Sequence, residues 1–267
     1  MENALYLYCL ARADLLPVIE GIGVDGQNPL SLQNIFDIAA VLSMVPLDEF
    51  SGPSAESRMK ELSWIGLRSW RHEEAVEKVM RHSPVLPARF GTIFSSLQRL
   101  ETFVKKHHGA ISNFLGKVAD KDEWAVKGML DKVKAREELF SDALAGKKGG
   151  LSASPGMRYI QEQRIRADIE RGLNSWLKEA CGDIAESLNR CASDFCERPV
   201  ISQKNPENNK DIIMNWAFLV PRDAATDFHD RIHQANADRT RCGLSFECTG
   251  PWPPYSFSPC LEMESEV

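Results

Sequence analysis

Short β-type stretches and long stripes of helical spacing divide the apolar positions of this chain between them. Residues 4–10 (ALYLYCL) make the first β-type run, and 32–46 (LQNIFDIAAVLSMVP) supply one or two further strands after a turn rich in Gly, Asn and Pro. With Ser54 as a cap, Met59, Leu62, Trp70, Val76 and Val79 mark one helix, or two interrupted near Gly66, reaching about His82. PVLPARFGTIF at 84–94 reads as another β-type run, and Leu97, Leu100, Val104, Ile111 and Leu115 trace the apolar stripe of a second helix. The first half is therefore expected to form a small α+β domain over residues 1–118.

A turn-like junction at 120–122 precedes Trp124, Val126 and Leu130, which alternate as a strand should and open a second domain over 119–267. After the polar stretch GKKGGLSAS (146–154), Ser154 and Pro155 read as a cap and a first helical residue. Apolar residues then recur at steps of three to five from 157 to 195, enough for a helix of about 60 Å at 1.5 Å per residue. A short strand at 198–203, the loop NPENNKD, and an inner strand over 212–220 (IIMNWAFLV), apolar on both faces, follow. A helix from Pro221 to about Arg239 and a last strand through Leu244, Phe246 and Cys248 complete a strand-helix-strand-strand-helix-strand order, the ferredoxin-like one. The expected fold class is α+β with two domains, the second ferredoxin-like with one long helix.

Composition supports a packed core: 43% of the 267 residues are hydrophobic and 26% charged. The net charge of −6, with basic residues spread among acidic ones, gives no electrostatic footprint for nucleic acid or anionic membrane. Seven cysteines make no CxxC pair and read as reduced thiols of a cytoplasmic protein. The N-terminal apolar run is too short for a signal peptide, and no window of about 18–20 apolar residues predicts a membrane span.

Candidate chemistry is sparse. His72-Glu73 begins like the zinc-protease HExxH motif, but Val76 stands where the second ligand belongs. His229 and His233 lie four apart on a predicted helix, the spacing of a metal pair, without an identifiable third ligand. GKKGG at 146–150 lacks phosphate-loop spacing, and the octapeptide signature of RNA-recognition domains is missing. No catalytic triad or carboxylate pair can be picked out. Arg89 is the most conspicuous single charge, because LPARFG places a guanidinium in an otherwise apolar strand. If buried, it needs carboxylate or carbonyl partners, either as a pin between elements or as a contact to a partner protein.

Four segments taken in order and spacing carry a resemblance: WRHEEAVEKV at 70–79, VLPARFGTIF at 85–94, EWAVKGML at 123–130 and TGPWPPYSF at 249–257. Together they resemble the gas vesicle protein F/L family (GvpF/GvpL), across nearly the whole chain. The resemblance implies a non-enzymatic accessory protein, with no cofactor or metal, that assists assembly of gas vesicles and associates with the small apolar shell protein GvpA and other Gvp proteins. It marks Trp70, His72, Glu73, Arg89, Phe90 and Gly91 as partner-binding or interdomain positions. F-type and L-type roles are not separated by these residues. A minor structural component of the vesicle wall, or an enzyme with its site in a cleft between the domains, are the competing readings.

The last motif, Gly250, Pro251, Trp252, Pro253, Pro254, Tyr255, Ser256 and Phe257, is stiffened by three prolines. It continues the last predicted strand without a linker, so it is expected to be an ordered strap whose rings pack on the protein body. Trp252 and Tyr255, three apart, would share one face of a polyproline helix. The acidic tail beyond Phe257 is expected to be loosely ordered.

Overall fold

The computed structural model of the chain describes residues 2–51, 53–58, 60–146, 151–200 and 210–262. Two compact units divide it: residues up to Asp122 together with those from Trp252 onward, and Glu123–Pro251. This differs from a single cut at 118/119. The chain returns to the first unit at the strap, where Pro253 and Pro254 are buried.

In the first unit, β1 (Asn3–Arg12), β2 (Ser31–Ile35), β3 (Ile38–Pro46), β4 (Val85–Pro87) and β5 (Ile93–Phe94) form one antiparallel sheet of order β2-β3-β1-β4, with β5 also on β1. β1 is paired on both sides and buried nearly end to end, as its apolar run ALYLYCL requires. An irregularity in its register with β3 falls between Leu7 and Cys9, at Tyr8.

The helical stretch after β3 comprises α1 (Leu47–Phe50), α2 (Pro53–Arg58) and α3 (Leu62–Met80). α3 runs unbroken through Gly66, so of the two readings left open there the uninterrupted helix holds. It buries His72, Ala75, Val76 and Val79, the i, i+3, i+4, i+7 stripe of a helix lying on a sheet. The run 84–94 is not one strand. Residues 88–92 turn between β4 and β5, with Gly91 at φ 85°, a conformation that costs a residue with a Cβ, and with Thr92 N and Oγ1 donating to Arg89 O at 3.1 and 2.7 Å. α4 (Leu97–Val118) is capped by Ser96 Oγ, which accepts from Arg99 N, and buries Leu100, Val104, Ile111 and Leu115 as its stripe predicts.

The second unit holds β6 (Lys121–Leu130), α5 (Lys132–Ala145), α6 (Pro155–Asn189), β7 (Asp194–Glu197), β8 (Asp211–Pro221), α7 (Ala225–Arg239) and β9 (Leu244–Trp252), with sheet order β7-β8-β6-β9. That is the ferredoxin-like order, with α5 as an additional helix. α5 has a cap legible only afterwards, the Asp131 carboxylate accepting from Val133 N and Lys134 N. β8 is an inner strand, flanked by β7 and β6, and its Ala217–Val220 are wholly buried.

α6 has 35 residues, about 52 Å at 1.5 Å per residue, and stops at Asn189 rather than continuing to 195. The apolar residues beyond it belong to a turn and to β7, where Phe195 packs on Trp216 and Phe218. β7 accordingly precedes the position expected for it. Most of the NPENNKD loop and of the GKKGG stretch lies outside the described residues. Among the described residues, no helix is long and apolar enough to cross a membrane.

Candidate functional site

Three of the sequence motifs meet on β1 in the first unit. Tyr6 and Tyr8 project from β1 into the core, fully buried, with ring centroids 4.9 Å apart. α3 brings in His72, 1% exposed, and its neighbour Glu73. The turn after β4 supplies Ala88 O, Phe90 and Gly91, and the strap supplies Tyr255.

Hydrogen bonds join them in one direction. Gly91 N donates to Tyr6 Oη at 3.0 Å, and Tyr6 Oη lies 2.9 Å from His72 Nδ1. His72 Nε2 lies 3.2 Å from Ala88 O and 3.1 Å from Tyr255 Oη, and Tyr255 Oη donates to Glu73 Oε1 at 2.8 Å. A carbonyl oxygen only accepts, so the imidazole proton sits on Nε2 and Nδ1 accepts from Tyr6. Burial favours this neutral ring and pushes the His72 pKa down to about 4. Burial raises the Tyr6 and Tyr255 phenols, Tyr255 further so through the adjacent Glu73 carboxylate, and it raises Glu73 itself. Tyr8, pushed up to about 12 by burial, bonds Ser43 Oγ at 2.8 Å and accepts from Val24 N at 2.6 Å.

Rings close around this line. Tyr6 meets Phe50, His72 and Phe90 edge-on at 5.2, 5.7 and 6.2 Å, and Trp64 meets Phe50 at 5.5 Å. Each side chain of the line has a hydrogen-bond partner. The arrangement ties β1, α3, the turn after β4 and the strap into one piece.

Beside the cluster lies a cavity of about 360 Å³. Leu7, Leu10, Leu86 and Phe103 form an apolar wall, Tyr255 separates it from the histidine, and Ser258–Leu261 complete it. Arg89 is one of its lining residues and is solvent-exposed. Because the strand ends at Pro87, this arginine is not held inside an apolar strand. Among the described residues its guanidinium makes no ion pair or hydrogen bond.

His72, Glu73, Phe90 and Gly91 thus come together, with Arg89 adjoining, while Trp70 lies 60% exposed on the outer side of α3. The strap divides. Gly250 and Pro251 belong to β9 in the second unit, Trp252 is 40% exposed, and Pro253 and Pro254 are buried. Tyr255–Phe257 form a 3-10 turn, so Trp252 and Tyr255 do not share one face of a polyproline helix. Phe257 lies under Lys117 Nζ, 5.8 Å from the ring centroid. The start of the tail is better placed than expected: Ser258 Oγ donates to Pro254 O, and Glu262 O lies 3.1 Å from His107 Nε2.

His229 sits edge-on against Trp124 with centroids 4.3 Å apart, and His233 is exposed. Among the described residues, no group of three His, Cys, Asp or Glu could hold a metal ion. The residues that sequence reasoning missed are Tyr6, Tyr8, Phe50 and Trp64. The alternating tyrosines of ALYLYCL were the available signal, two polar tips in a run that had to be buried.

Comparison with known proteins agrees with the sequence resemblance. Residues 4–259 match the family described as gas vesicle synthesis protein GvpL/GvpF. Gas vesicle protein L of Streptomyces sp. (strain CB03234) is 24% identical, over 98% of this chain and 95% of its own. Gas vesicle protein L1 of Halobacterium salinarum is 21% identical, over 97% and 92%. The crystal structure of GvpF from Anabaena sp. PCC7120 superposes with a TM-score of 0.67 at 18% identity, covering 99% of this chain and 100% of that one. GvpF from Microcystis aeruginosa gives 0.65 at 18%, covering 96% and 99%. The chain belongs to the GvpL/GvpF family of gas vesicle synthesis proteins.

Proposed function

We propose that this protein is a non-enzymatic accessory factor of gas vesicle assembly that binds the apolar shell protein GvpA, through its first unit, at or near the segment carrying Arg89. The observation that carries the vesicle role is the family match over residues 4–259. The placement is supported by the convergence of the His72-Glu73, Phe90-Gly91 and strap motifs in one largely buried cluster of that unit, with the exposed Arg89 at its edge. A subunit that lines a gas-filled wall is strongly apolar, and before assembly it needs a partner that covers its surface and suppresses aggregation. A rigid face with an apolar recess suits that task.

Deletion of every copy of the gene, followed by electron microscopy of the cells, tests the role. Absent or malformed vesicles are expected. Vesicles of normal number and shape contradict the proposal.

A further inference from the structure

The cavity beside Arg89 has the makings of a recognition site in its own right. Its wall is apolar, none of its lining residues is acidic, and its one cationic group is a guanidinium that makes no ion pair among the described residues. An apolar recess with one polar anchor selects ligands that pair an apolar body with one matching charge. For a guanidinium that charge is a carboxylate, which it holds in a two-pronged bond. At about 360 Å³ the cavity takes a few apolar side chains, not a folded surface. β4, which contributes Leu86 and Pro87 to the wall, is the terminal strand of its sheet.

We infer that this cavity docks an apolar segment of a partner protein that carries a carboxylate, the apolar side chains filling the recess and the carboxylate pairing with Arg89. The inference rests on the reading above that the first unit is the partner-binding one. It adds the chemistry of the recognised segment: apolar residues next to an Asp, a Glu or a free C-terminus. Basic or uncharged apolar segments are discriminated against.

Cys260 reports on occupancy, since it is exposed and lines the cavity. Its alkylation by iodoacetamide is followed site by site by mass spectrometry in the full chain, with octanoate as probe and octanamide as its uncharged control. Octanoate is expected to slow alkylation at Cys260 at least fivefold, and octanamide less than twofold. In R89Q the two probes should act alike, while R89K keeps part of the difference. Arg89 is exposed, so R89Q should melt as the wild type does.

Equal effects of the two probes on the wild type, or an octanoate effect that survives R89Q, overturn the inference. The same readout with purified GvpA separates this inference from the proposed function. Capture of GvpA that is equal in wild type and R89Q and leaves Cys260 reactive defeats the cavity and spares the function. Octanoate discrimination through Arg89 without any capture of GvpA does the reverse. Capture reduced tenfold in R89Q, with Cys260 protected, supports both.

Discussion

At the scale of single residues, His72 is the position whose chemistry is most constrained. Its ring is buried among Tyr6, Tyr8, Phe90, Tyr255 and Glu73, with Ala88 O accepting a hydrogen bond from Nε2. The folded-state pKa of about 4 lies below the ordinary 6.5, so on acidification the unfolded chain takes up a proton first. Stability from this group is complete above about pH 6.5 and is lost as the pH falls toward 4, about 3 kcal/mol in all by linkage. Glu73 works the other way. Its pKa is raised, so the folded state protonates first and part of the loss is offset. In H72Q the histidine contribution vanishes, and the stability gap between wild type and variant should narrow by about 3 kcal/mol between pH 7.5 and pH 4 in urea melts. Parallel pH curves would refute the buried neutral ring.

Tyr255 supplies a second residue-scale prediction. Its hydroxyl is the donor to Glu73 Oε1 and the acceptor facing His72 Nε2. Y255F leaves a half-buried carboxylate without that donor and should cost about 1–3 kcal/mol by denaturant unfolding. A melt indistinguishable from wild type would mean that the strap is held by its prolines alone. Sequence reading brought His72 and Tyr255 to attention as motif members. It could not see the bond between Tyr255 and Glu73, because the two lie 182 positions apart and periodicity carries no information at that range.

At the scale of elements, stripes with strong helical spacing were legible. Leu100, Val104, Ile111 and Leu115 mark α4, whereas of the described positions read for α3 Val76 and Val79 are buried and Leu62 and Trp70 are exposed. Where reading failed, local signals competed. Gly66 argued for a break, yet in α3 it faces open space and its neighbours carry the helix past it. That yields a test: G66A should raise stability by about 0.5–1 kcal/mol, since the helix keeps its geometry and the unfolded chain loses freedom. Destabilisation in thermal melts would show that Gly66 serves a contact rather than a helix. The run 84–94 read as one strand because its apolar content is continuous. The turn at 88–92 rests on Gly91 and on bonds to Arg89 O, neither of which alters the apolar pattern. G91A should therefore cost about 1–2 kcal/mol through its positive φ and loosen the bond from residue 91 to Tyr6.

At the scale of the whole molecule, the strap changes the division of the chain. A cut by sequence position gives the C-terminus to the second domain, whereas residues from Trp252 onward pack with the first unit. Nothing local announces this, because a proline-rich segment reads the same whichever surface it meets. The first unit's buried cluster is built from both ends of the chain, and the cavity beside Arg89 is completed only by residues 258–261.

The central claim is that the family's vesicle role is exercised through binding of the shell protein to the first unit. Cross-linking mass spectrometry of the purified full chain with GvpA tests it most directly. Cross-links from GvpA are expected at residues 1–122 and 252–262, with the densest set around Arg89 and the strap. Cross-links confined to residues 123–251 would contradict it.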